Sequence, residues 1–218
     1  MDIDRFIEKR KLQEVKSIKV ESRSGKLDSE GLFSEEIFGR LGSPIRKFTF
    51  AYINLHIKII HPQAWDFICG LNPIVSKCLL GRKKYFINEK GDLEESPDDS
   101  FGFSGVKLFI DNFDKLNLNE LGKKHPDYVK FIKTNKDKIF IDKWIVLPAG
   151  IRDVQTSFGS NKKIVTSSEV NTLYTELLQS TKIIDENMVQ FLDDETLKNI
   201  CNAVQKKVIE IAKWISDR

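Results

Sequence analysis

Four aspartates, Asp98, Asp99, Asp111 and Asp114, are the residues of this 218-residue chain whose chemistry comes nearest to a divalent-cation site, since hard cations take carboxylate oxygens. Holding magnesium for phosphoryl chemistry would need those oxygens clustered on a rigid loop. Asp111 and Asp114 instead stand three residues apart in a helical pattern with no supporting motif, which describes a solvated helix face. An independent metal hydrolase built on them is therefore remote. The three histidines, His56, His61 and His125, are too scattered to form a ligand pair or a proton relay, and read as structural. Cys69, Cys78 and Cys201 lie in apolar surroundings without a Cys-x-x-Cys pair, so buried thiols are expected rather than a zinc or disulfide framework. What remains is phosphate-binding chemistry. Lys9-Arg10-Lys11, Arg82-Lys83-Lys84 and Lys162-Lys163 are short basic clusters that can track phosphates or simply solvate a surface.

These residues are carried on a chain of 40% hydrophobic and 31% charged residues, with 15 phenylalanines and a net charge of +3. That is the composition of an ordinary globular protein with one sizeable core or two small ones. No apolar run approaches the length of a membrane span, and the charged start Met1-Asp2-Ile3-Asp4-Arg5 is unlike a signal peptide, so a cytoplasmic protein with no membrane partner is expected.

The richest stretch is 31–40, Gly-Leu-Phe-Ser-Glu-Glu-Ile-Phe-Gly-Arg. Ser34 can cap a single helical turn, Glu35 and Glu36 then meet the positive end of its dipole, and Gly39 can supply a left-handed stop. Leu32, Phe33, Ile37 and Phe38 are too many apolar side chains for a solvated loop and should be pinned into a core.

Around it the pattern predicts a helix within 1–15 carrying Ile3, Phe6, Ile7 and Leu12, then a strand over 17–21 and a polar turn over 22–29. A strand within 46–60 carries bulk on both faces and should be buried on both. Pro62 opens a helix that Gly70 and Pro73 interrupt before it resumes over 74–80. A strand over 83–88, an acidic turn-rich loop over 89–100, a helix capped by Ser104, a helix from Pro126 to Thr134 and a strand over 138–146 follow. In the C-terminal region Thr166 and Glu169 form a capping box ahead of Val170, Leu173, Tyr174, Leu177 and Leu178. Asp193 caps a second helix with Leu197, Ile200, Cys201, Val204, Val208, Ile211, Ala212 and Ile215 at three-four spacing. The expected fold is α+β, short strands with several helices, in two parts: a core over 1–165 and an antiparallel helical hairpin over 166–218.

Three of these stretches resemble one family. Residues 31–39 are similar to the Gly-Leu-Phe-x-x-x-Ile-Phe-Gly signature near the start of the beta-prime subunit of multi-subunit DNA-dependent RNA polymerases. Val146-Leu147-Pro148-Ala149-Gly150-Ile151-Arg152 resembles its Val-Leu-Pro-Pro-x-Leu-Arg, with Ala149 in place of the second proline and Asp153 in place of a final one. Ser168-Glu169-Val170-Asn171-x-Leu173-Tyr174 resembles its Ser-Asp-Leu-Asn-x-Leu-Tyr, which opens the paired clamp helices. The three fall in the family's order.

The resemblance implies the N-terminal, clamp-forming part of such a subunit. Residues 22–29 would be a zipper-like loop near DNA, and 153–165 a lid-like loop that separates nascent RNA from template, with Arg152, Phe158, Lys162 and Lys163 as nucleic-acid contacts. The hairpin would dock a promoter-specificity factor of the sigma kind through Glu176, Gln179, Lys182, Glu195, Asn199, Asn202 and Lys206. The family's zinc ribbon and its Asp-Phe-Asp-Gly-Asp metal loop have no counterpart here. This chain would thus hold no cofactor, magnesium belonging to the assembled polymerase, and its partners would be the remaining beta-prime and beta subunits, the factor, DNA and RNA. A zinc-less form of this kind looks like the split subunits of large-bacteriophage polymerases, placing it in the host cytoplasm, although a segment cut from a longer subunit has the same sequence. From another class, a free-standing interaction protein that uses the hairpin without nucleic acid fits the same helices.

Overall fold

The Asp2 carboxylate accepts a bond from the Arg5 N–H and so starts α1 (Ile3–Arg10), which Lys11 ends at φ +50°. The structure is a computed structural model that describes residues 2–19, 27–98, 101–152, 168–184 and 191–217, together with the backbone of 155–159 and 162–166. Its architecture is α+β, as expected. The chain divides into two units, the first made of Met1–His56, Lys143–Ile183 and Lys207–Arg218, the second of Ile57–Asp142 and Ile184–Lys206.

In the first unit the helix expected up to residue 15 is shorter, and of the strand expected over 17–21 the described residues 17–19 make only an isolated bridge, residues 20 and 21 lying outside the described residues. The Val15 N–H bonds to the Tyr52 carbonyl, and Glu14 and Ser17 make isolated parallel bridges to Tyr52 and Gly31. Here long-range backbone pairing wins over local alternation. α2 (Glu35–Phe38) is the single turn expected, with Ser34 Oγ accepting from the Glu36 and Ile37 N–H groups at 3.1 Å. Gly39 ends it at φ +93° and ψ 165°, an extended conformation at positive φ rather than a left-handed turn. Leu32, Phe33, Ile37 and Phe38 are all buried. A 3-10 turn, Pro44–Lys47, precedes β1 (Ala51–Ile60), of which Ala51–His56 belong to this unit and Ile57–Ile60 to the second. β1 buries Ala51, Ile53, Leu55, Ile57 and Ile59 but exposes His56 and Lys58, so its middle is one-sided and the expectation of two buried faces is corrected. It pairs with β4 (Phe140–Val146).

The second unit has α3 (Pro62–Leu71) and α4 (Pro73–Leu79), each with proline in its first turn, where a missing N–H costs nothing. β2 (Tyr85–Ile87) pairs antiparallel with β3 (Leu93–Glu95), Tyr85 opposite Glu95 and Ile87 opposite Leu93. β2 falls within the strand expected over 83–88, whereas β3 lies inside the stretch expected to be an acidic loop. Asn88 Oδ1 accepts from the Lys90 and Asp92 N–H groups and closes its turn, with Gly91 at φ +83°. α5 (Val106–Asn112), α6 (Leu118–Leu121) and α7 (Pro126–Thr134) complete the unit. Its core gathers Ile60, Ile68, Val75, Phe109, Phe113 and Ile132.

α8 (Ala149–Arg152) leads into the antiparallel strands β5 (Gln155–Gly159) and β6 (Lys162–Thr166). Thr166 pairs with Gln155 as the end of that ladder; its side chain, expected in a capping box with Glu169, lies outside the described residues. α9 (Glu169–Ile183) buries Val170, Tyr174, Leu177 and Leu178. α10 (Asp194–Ser216) is capped by Asp193, whose Oδ1 accepts from the Thr196 N–H at 2.8 Å, and buries Cys201, Val204, Val208 and Ile211. Lys207 of α10 reaches Glu176 of α9 at 2.6 Å. The first half of α10 belongs to the second unit and the rest, with α9, to the first.

Candidate functional site

The three stretches singled out in the sequence meet at one buried guanidinium. α8 brings Arg152 into the first unit with 1% of its surface exposed. Its Nε donates to the Leu147 carbonyl at 2.8 Å, Nη1 to Asn171 Oδ1 at 2.9 Å, and Nη2 to the Leu32 carbonyl at 2.6 Å. The ring of Phe38 lies 4.9 Å from the guanidinium carbon, Phe33 5.3 Å and Tyr174 5.5 Å. Asn171 returns a bond from Nδ2 to the Arg152 carbonyl. The Tyr174 hydroxyl donates to the Ile145 carbonyl at 3.1 Å and accepts from the Leu147 N–H at 3.2 Å. Burial pushes that phenol up to about 12, against the pull of the Arg152 charge, so it stays a neutral donor. A second buried arginine, Arg46, donates to the Phe33 carbonyl at 3.2 Å and the Gly39 carbonyl at 3.0 Å, clamping the two ends of the 33–39 turn.

A charged group surrounded by neutral oxygens and aromatic faces braces its neighbours. Arg152 was expected to contact nucleic acid; its burial corrects that, because each of its three donating nitrogens is directed at the protein's own oxygens. Within the lid-like segment β5 and β6 pair antiparallel, with Phe158 opposite Lys163 and Gly159 opposite Lys162. The side chains of Phe158, Lys162 and Lys163 lie outside the described residues, as do residues 22–26 of the zipper-like loop.

On the two C-terminal helices Gln179, Lys182, Glu195, Asn199 and Lys206 are exposed, and Glu176 is held by Lys207. Glu195 pairs with Lys198 at 2.6 Å. Asn202, expected with them, is half-buried. Its Oδ1 accepts from the Val106 N–H at 3.0 Å and caps α5, the task expected of Ser104. Gln205, not singled out in the sequence, is also buried, and it closes a two-bond ring with the Ile60 backbone at 2.7 and 2.9 Å.

The remaining candidates stay apart. Asp111 pairs with Lys107 at 2.5 Å and Asp114 with Lys136 at 2.7 Å, both on the surface. Among the described residues no group of three or more His, Cys, Asp or Glu side chains could hold a metal ion. His61 Nδ1 accepts from the Gln63 N–H and caps α3; burial lowers its pKa to about 4, so it serves as a neutral acceptor. Burial raises Cys69 and Cys78 to about 12 and Cys201 to about 11, far from a reactive thiolate. No described helix is long and apolar enough to cross a membrane.

The first unit leaves several large apolar side chains exposed on neighbouring segments. Leu41, Ile45 and Phe48 are 63%, 65% and 72% exposed, and Ile151 is 53% exposed. They belong to the Pro44–Lys47 turn, its flanks and α8, which pack closely: a Cβ on Gly150 would meet the Arg46 carbonyl carbon at 2.9 Å. Arg40 and Lys47 are exposed beside them. Compared with known protein families and with curated protein sequences, the chain matches none.

Proposed function

We propose that this chain is a subunit, or a segment of a subunit, of a multi-subunit DNA-directed RNA polymerase, contributing to the clamp that holds DNA and offering α9 and α10 to a promoter-specificity factor. The observation that carries the reading is the Arg152 knot. Phe33 and Phe38 come from the first signature, Arg152 from the second, and Asn171 and Tyr174 from the third, and all surround one guanidinium. Short strings that matched by coincidence would have no reason to converge within the fold. A second support is the exposed apolar surface around Phe48, which suits a chain that works inside a larger assembly.

In this reading the nucleotide addition chemistry and its magnesium belong to the other subunits. This chain positions the upstream end of the hybrid through β5 and β6 and presents Gln179, Lys182, Glu195, Asn199 and Lys206 to the factor. Reconstituting the chain with the remaining polymerase subunits from the same source and measuring promoter-dependent RNA synthesis tests it. Synthesis should be lost when the chain is omitted. Equal synthesis without it would refute the reading.

A further inference from the structure

Residues 115–138 hold seven lysines against three acidic residues, a surplus of four positive charges in a chain whose net charge is +3. The sequence hides this because the lysines are dispersed rather than consecutive. In the fold several of them meet. Between α6 and α7 lies an open cleft of about 360 Å³, with Lys123 and Asn119 on one wall and Pro126, Lys130 and Lys133 on the other. Pro126, Lys130 and Lys133 share one face of α7 at four- and three-residue spacing, and none of the cleft's lining residues is a carboxylate.

The local bonding leaves the charge in place. Lys133 Nζ donates to Asn119 Oδ1 at 2.8 Å, a neutral partner that does not cancel it. Lys123 is paired with Glu120 from the rim, and an ammonium has three donors. Lys124 and Lys130 are exposed nearby. No side chain caps the N-terminus of α7, whose first residue, Pro126, lines the cleft, and Asp127 of the same first turn is not among the lining residues. Like charges three and four apart on a helix repel, and an anion in the cleft relieves that repulsion.

We propose that this cleft binds the phosphate backbone of a nucleic acid. Ammonium groups from both walls, Lys123 on one and Lys130 and Lys133 on the other, spread positive charge along an open cleft and suit the repeated phosphates of a strand better than a single small anion. The site lies wholly within the second unit, away from the three signatures, and does not depend on the polymerase reading.

The test uses the full chain and a fluorescent oligonucleotide of about 16 nucleotides, single-stranded and as a duplex, followed by anisotropy between about 50 and 200 mM salt. Binding to either form is expected, and the preferred form identifies the source of the phosphates. The double variant Lys130→Gln/Lys133→Gln should weaken binding about tenfold or more and flatten the logarithmic salt slope by about one to two. Lys130→Arg/Lys133→Arg should retain it. A control that removes the same charge elsewhere, Lys58→Gln/Lys77→Gln, should leave affinity within about twofold, since both are exposed lysines outside the cleft. Equal losses in the two glutamine variants would reduce the effect to net charge and overturn the proposal. So would absence of binding, displacement by inorganic phosphate at matched phosphate concentration, or equal competition by polyglutamate of the same charge.

Discussion

Arg152 shows what an arginine does when its position, rather than its charge, is what the fold uses. Five donors on a rigid plane can reach Leu147, Asn171 and Leu32 at once while the flat faces lie against Phe33, Phe38 and Tyr174. Lysine keeps the charge and loses the plane. Arg152→Lys is expected to cost roughly 3 kcal/mol, the order of leaving two buried acceptors poorly satisfied, and urea unfolding of the full chain checks it. A loss below about 0.5 kcal/mol would show that the knot is incidental. At this scale Ser34, Glu35 and Glu36 were legible, because a cap and its dipole are local. The burial of Arg152 was not, because the residues that enclose it are as much as 120 positions away in sequence.

Element boundaries followed the residues with strong local chemistry. Pro62, Pro73, Pro126 and Asp193 mark helix starts where expected, since proline fixes φ and aspartate accepts from the first free N–H groups. Elements that depend on distant partners were misread. β3 carries two consecutive glutamates and looks like a loop until Tyr85 and Ile87 pair with it. The cap of α5 comes from Asn202, 96 residues away. Asn202→Ala should therefore destabilise α5 rather than α10. We expect a loss of about 1 kcal/mol in overall stability and faster hydrogen exchange at the Val106 amide, read by exchange mass spectrometry or NMR. Unchanged exchange there would dismiss the cap.

For the molecule as a whole, the exposed apolar surface of the first unit is the feature least suited to a solitary life. Ile45→Ser/Phe48→Ser removes two large side chains that are mostly in water, so folding stability should shift by no more than about 0.5 kcal/mol. Under the proposed polymerase reading, recovery of the chain in complex with the other polymerase subunits should fall, as quantified by co-purification. Undiminished recovery with intact folding would show that this surface is not the contact.

By itself the sequence determined the α+β class, most helix starts, the buried character of Leu32, Phe33, Ile37 and Phe38, and the three stretches worth comparing, because each rests on periodicity, capping or composition within a few residues. Only the tertiary structure decided that those stretches close on a single guanidinium, that Asn202 and Gln205 turn inward, and that scattered lysines line one cleft. The direction a side chain faces is set by what packs against it, and those neighbours come from parts of the chain that no local pattern connects.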